Sequence, residues 1–97
     1  MSVRVPSLPC YLVEWYRPEI TAVDLDETVA RLDASAAMMS AAGAPVSLMM
    51  TLALPTDEVV FCVFSAGSAQ FVADACCRAG FPPERLTQAD GARIAGG

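Results

Sequence analysis

An α+β fold of order β-α-β-β-α-β is predicted by three features of this chain. Val59 to Ser65 is a short apolar run, rich in β-branched and aromatic residues and bracketed by turn-forming segments. Ser68 to Gly80, directly after it, carries apolar residues at helical spacing between a capping serine and a stop glycine. The same order, strand then helix then strand, already occurs once between Cys10 and Leu54.

The first strand is expected over Cys10–Tyr16. Cys10, Leu12, Glu14 and Tyr16 share one face, and Tyr11, Val13 and Trp15 share the other. Arg17-Pro18 ends it, because the residue before proline is pushed to extended geometry and the ring lacks an N–H. The first helix begins at Thr21, where Asp24 three residues on makes a capping-box-like pair. Asp24, Asp26 and Glu27 sit where the helix dipole favours negative charge. Leu25, Val29, Leu32, Ala36 and Met39 recur at steps of three and four, a stripe that faces a core. Glu27 and Arg31 are spaced as an exposed pair, and Gly43 closes the helix.

Pro45–Leu54 reads as the second strand, with Val46, Leu48, Met50, Leu52 and Leu54 on one face. Ser47, Met49, Thr51 and Ala53 take the other. Pro55-Thr56-Asp57-Glu58 is a hairpin connection to the third strand at Val59. Strand is the better reading than helix there, on length and punctuation. In the second helix Ser68 supplies the N-cap oxygen. Phe71, Val72, Ala75, Cys76 and Ala79 face inward, while Gln70, Asp74 and Arg78 face out, with Asp74 and Arg78 spaced as a surface pair. Gly80 and Pro82-Pro83 stop it. Glu84–Ala89 is the last strand.

This is the ferredoxin-like arrangement: one antiparallel four-stranded sheet with both helices on one face and the other face open. A flexible arm (1–9) and a flexible tail (91–97) flank a single domain (10–90). The helix-covered face is expected to carry Tyr11, Val13, Trp15, Leu48, Met50, Phe61 and Val63. The open face then carries Leu12, Glu14, Tyr16, Ser47, Met49, Thr51, Val60, Cys62, Phe64, Arg85 and Thr87. In this topology the first strand lies between the third and fourth, so Glu14, Cys62 and Arg85 are expected as neighbours. Glu14, Tyr16, Cys62, Phe64 and Arg85 are the candidate ligand-binding residues. A carboxylate beside an arginine can hold a polar ligand, or the two can simply hold each other.

Composition narrows the function classes. Of 97 residues 55% are hydrophobic and 18% charged, below the roughly 25% charged that is usual. A chain this short has little interior, so so much apolar surface predicts that a second copy covers the open face. The net charge is −5, and all six basic residues are arginine, which argues against nucleic acid and anionic membranes as partners. Ala34 to Thr56 has no charged residue, but Gly43-Ala44-Pro45 interrupts it, so no membrane span is expected. No secretory signal is expected either, and the four cysteines then read as reduced thiols of a cytoplasmic protein. Their spacing gives no reason to expect an iron–sulfur cluster.

YLVEWYRPEIT and TDEVVFCVFSAGSAQFVADACCRAGFPPERLTQA together resemble a known family. The shared pattern is Tyr-x-Val-Glu with an aromatic and a proline, then Asp-Glu, a Phe-Cys strand, a Ser-capped helix, Ala-Gly-x-Pro and a closing Arg. The family comprises small bacterial domains of unknown function described as nickel-binding, within the dimeric α+β barrel superfamily. The resemblance implies a homodimer whose two sheets face each other, and metal binding. Nickel at such sites prefers imidazole, and this chain has no histidine, so Glu14 and Cys62 are the candidate metal ligands.

Three functions follow as expectations. The first is a non-catalytic homodimeric barrel holding a small ligand or metal ion between its sheets. The alternative is a cofactor-free enzyme, a monooxygenase or isomerase, with Glu14 and Tyr16 as acid and base. The third is a purely structural dimer with a filled core, packed by Met38, Met39, Met49 and Met50.

Overall fold

A computed structural model describes residues 8–89. Six elements occur in the expected order: β1 (Cys10–Tyr16), α1 (Ala22–Ala41), β2 (Val46–Leu54), β3 (Val59–Ala66), α2 (Ala69–Ala79) and β4 (Arg85–Ala89). The strands form one sheet of order β2-β3-β1-β4, every neighbouring pair antiparallel. This is the ferredoxin-like α+β arrangement. Residues 1–7 of the expected arm and the tail from residue 90 lie outside the described residues. Just ahead of β1, the Pro9 carbonyl accepts from the Ala66 N–H at 3.0 Å.

Helix boundaries follow from the capping chemistry in the sequence. Thr21 Oγ1 accepts from Asp24 N–H (3.0 Å) while Asp24 Oδ2 accepts from Thr21 N–H (3.2 Å), so two otherwise unpaired donors are satisfied reciprocally. At the far end Ala44 N–H reaches back to Met39 O (2.9 Å), a wrap that needs the positive φ of Gly43. α2 starts on Ser68, whose hydroxyl accepts from Phe71 N–H, and stops at Gly80 in left-handed geometry.

The core lies between the sheet and the helices. Tyr11, Val13 and Trp15 of β1 and Val60, Cys62 and Phe64 of β3 are buried against Leu32, Ala36 and Met39 of α1 and Val72, Ala75 and Cys76 of α2. Ser35 is buried between the helices and donates to Ala75 O at 2.7 Å, which joins α1 to α2 through a satisfied polar contact. The Trp15 indole N–H donates to the carbonyls of Phe81 and Pro82, at 3.1 and 3.0 Å, and fixes the connection into β4.

Two strands differ from the alternation expected of them. Val13 stands opposite Cys62 and Tyr11 opposite Phe64, so Val60, Cys62 and Phe64 share the helix-covered side with the β1 core residues. Phe61, opposite Glu14, and Val63, opposite Leu12, belong to the open face instead. In β2 an irregularity between Leu48 and Met50 makes Met49 an extra residue. Beyond it the parity reverses. Met50 pairs with Val63 and Leu52 with Phe61 on the open side, while Thr51 pairs with Cys62 under the helices.

The expected surface pairs do not close. Asp74 accepts from the Gln70 amide at 2.8 Å, and neither Arg78 nor Arg31 has a carboxylate within 4.0 Å among the described residues. The uncharged stretch from Ala34 to Thr56 divides into the end of α1, a turn and most of β2. Among the described residues no helix is long and apolar enough to cross a membrane.

Candidate functional site

Three of the five candidate residues gather at one end of the open face. Glu14 sits centrally on β1 and Arg85 is its partner in the β1–β4 ladder. Their side chains approach through Arg85 Nε and Glu14 Oε2 at 3.6 Å. One long contact through Nε leaves the two terminal guanidinium nitrogens for something else. Glu14 keeps about a quarter of its side chain exposed and Arg85 about three-quarters.

Tyr16, two residues along the same face, is tied down at both ends. Its N–H donates to Glu84 Oε2 (3.0 Å) and its hydroxyl donates to Glu58 Oε1 (3.2 Å). The nearby Glu58 carboxylate, the hydrogen bond to it and slight desolvation raise the Tyr16 pKa, so the phenol stays protonated and acts as a donor. Glu58 holds a left-handed backbone (φ 57°) at the end of the hairpin, and its carbonyl accepts from Arg17 N–H at 2.7 Å. Glu84 N–H donates to Glu14 O at 3.2 Å. Glu14, Trp15, Tyr16, Val59, Glu84 and Arg85 thereby line a hollow of about 190 Å³.

Cys62 and Phe64 lie on the opposite side of the sheet, fully buried. Cys62 Sγ stands 3.2 Å from Thr51 Oγ1, and burial pushes its thiol pKa up against a smaller lowering by that contact. A sheet therefore separates Glu14 from Cys62, and the two cannot ligate one metal. Among the described residues no three His, Cys, Asp or Glu side chains converge to hold a metal ion. With no histidine in the chain, the donor set does not fit the nickel that the family resemblance implies.

Glu58 and Glu84 were not among the residues expected here. Both are acids at the ends of strands, where sequence reasoning assigns them to solvent. The one available signal was position: Glu58 closes the hairpin and Glu84 opens the last strand, so both fall at the same end of the sheet as Tyr16. Around this polar corner the open face is apolar, with Leu12, Met50, Leu52, Phe61 and Val63 on it. Met50 and Leu52 are each more than half exposed.

The arrangement suits binding more readily than proton transfer. Glu14 offers acceptor oxygens, Arg85 and Tyr16 offer donors, and the hollow is open to water. General base catalysis gains most in a dry site, where a carboxylate is not already engaged by a cation.

No protein-family model matches the chain. No curated protein matches it in sequence. Among solved structures it is similar to SCO4226 from Streptomyces coelicolor A3(2), with a TM-score of 0.76. That match covers 87% of this chain and 99% of the other at 16% identity, a likeness of fold.

Proposed function

We propose that the chain works as a non-catalytic homodimer of the dimeric α+β barrel type, in a reducing, cytoplasmic setting. Two open sheet faces pack against each other, and a small polar molecule sits at the Glu14–Arg85 corner. The observation that carries this reading is the uncovered apolar field of Leu12, Met50, Leu52, Phe61 and Val63 around a single ion pair. Apolar area of this kind is shielded in most proteins, and a self-complementary sheet face is a ready way to do it. Glu14 would accept from a hydroxyl or ammonium group of the ligand, and the free end of the Arg85 fork would donate to its carboxylate. Nickel is not part of this proposal, because its donors are missing.

The test is mass in solution followed by ligand retention. Light scattering on the eluting protein should give about twice the 10.2 kDa chain mass, and Val63→Glu should reduce it to one chain with the helical content kept. Native mass spectrometry of the dimer with a small zwitterion such as an amino acid should show an adduct that Glu14→Gln and Arg85→Gln each weaken. A monomer at high concentration ends the dimer reading. An adduct insensitive to both substitutions ends the site.

A further inference from the structure

We infer that the helical face carries a second, separate binding site, for a carboxylate-bearing amphiphile with a short apolar chain. It is a groove of about 400 Å³ between α1 and α2, lined by Arg31, Ala34, Ser35, Met38, Arg78 and Ala79. It lies on the face opposite the Glu14–Arg85 corner and does not depend on the dimer.

The first argument is charge. The chain carries −5 overall, yet Arg17, Arg31 and Arg78 are drawn to one region around the end of α2. Arg17 and Arg31 both stack on the Phe81 ring, 5.3 and 5.0 Å from its centroid. Their guanidinium carbons are therefore within about 10 Å of each other, roughly one Debye length, where like charges still repel. None of the three has a carboxylate within 4.0 Å among the described residues, although Glu27 and Asp74 stand at the right spacing to supply one. Arg17 is fixed by donating to Thr28 Oγ1 (3.3 Å), and Arg31 Nη2 lies over Gly80 where no side chain blocks it. Stacking on an aromatic ring preorganises a guanidinium and leaves its edge donors for an anion.

The second argument is the rest of the lining. Ala34 and Ala79 leave space, and the Ser35 hydroxyl is already committed to Ala75 O, so the floor makes no polar demand. Met38 is 71% exposed, an adaptable apolar side chain held out to water. Arg31 to Met38 spans two helical turns, about 10 Å. That length takes a short acyl chain lying from the arginines to the methionine. The volume is within the range of small-molecule sites, about 300–1,000 Å³.

The test uses octanoate as the probe, with octanol and inorganic phosphate as comparators, followed by amide chemical shifts on the full chain. Octanoate should give saturable shifts at Arg31, Ala34, Met38, Arg78 and Ala79. The double variant Arg31→Gln, Arg78→Gln should weaken binding at least tenfold, while Arg85→Gln leaves it unchanged. Met38→Glu, an exposed change that places a carboxylate in the groove, should weaken it as well and covers the case where the double variant folds poorly. The inference is overturned if octanol saturates the same residues equally, if phosphate alone does so, or if the shifts fall on the open sheet face.

Discussion

Cys62 and Thr51 meet under the helices, sulfur to oxygen at 3.2 Å, while Glu14 stands on the far side of the same sheet. The pairing makes Cys62 a packed, weakly hydrogen-bonded core residue. Its desolvated thiol is slow to ionise. Brief alkylation of the native protein should therefore label Cys77, the exposed thiol, ahead of Cys62 and Cys76. Peptide mass spectrometry reads the order, and early labelling of Cys62 would contradict the placement.

The two phenylalanines of β3 give a direct test of which side faces the helices. Phe64 is fully buried, so Phe64→Ala should destabilise by about 3–5 kcal/mol. Phe61 is half-buried on the open face, and Phe61→Ala measured under monomeric conditions should cost clearly less. Urea denaturation of both variants gives the comparison, and equal losses would reverse the assignment.

The capping box at the start of α1 has a stability cost and a pH signature. Thr21→Ala removes the hydroxyl that accepts from Asp24 N–H and should cost about 1 kcal/mol. Hydrogen bonds from the Thr21 backbone, then its side chain, hold the Asp24 pKa below its ordinary value. A carboxyl depressed in the folded state stabilises above its unfolded pKa and loses that contribution as pH falls through the folded value. The stability gap between the native chain and Asp24→Asn should therefore shrink as acid is added, from about pH 5 downward.

Cys76 predicts the alkaline limb. Burial, with smaller contributions from Cys62 and Cys77, pushes its thiol from the ordinary 9.0 up to about 12. A raised pKa means the folded protein keeps the proton that the unfolded chain releases, so stability is intact below pH 9 and falls between there and about 12. Cys76→Ala, although less stable at neutral pH, should show a shallower decline. Denaturation midpoints measured up the alkaline range decide it.

Gly80 lies in left-handed geometry, and a Cβ there would come 2.9 Å from Arg31 Nη2. Gly80→Ala should cost about 1 kcal/mol or more from backbone strain. It should also shift the Arg31 side chain off Phe81, visible as a change in the aromatic ring signals.

What was legible in the sequence divides along the same line as the sheet. Element order, both caps and both glycine stops could be read because each rests on local chemistry: a hydroxyl at Thr21 or Ser68, a positive φ at Gly43 or Gly80. The faces of β1 could be read because Glu14 marks one side of an otherwise apolar strand. β3 offers no such mark. Val59-Val60-Phe61-Cys62-Val63-Phe64 is apolar at every position, so period-two alternation cannot choose, and pairing with β1 decides. β2 failed for a different reason, since the extra residue at Met49 changes parity in mid-strand and leaves no trace in a row of apolar side chains. The Glu14–Arg85 neighbourhood was therefore foreseeable from topology, whereas Cys62 and Phe64 were assigned to it through an undetermined register.

That unpaired methionine also governs how the gene can change. Deleting one residue at Met49 would leave a perfectly regular ribbon and still be damaging. Everything downstream would turn over, sending Thr51 and Ala53 out to the water side and driving Leu52 and Leu54 beneath the helices. The outermost strand thus tolerates substitution far better than it tolerates shortening, and its length is as much a determinant of the surface as its letters.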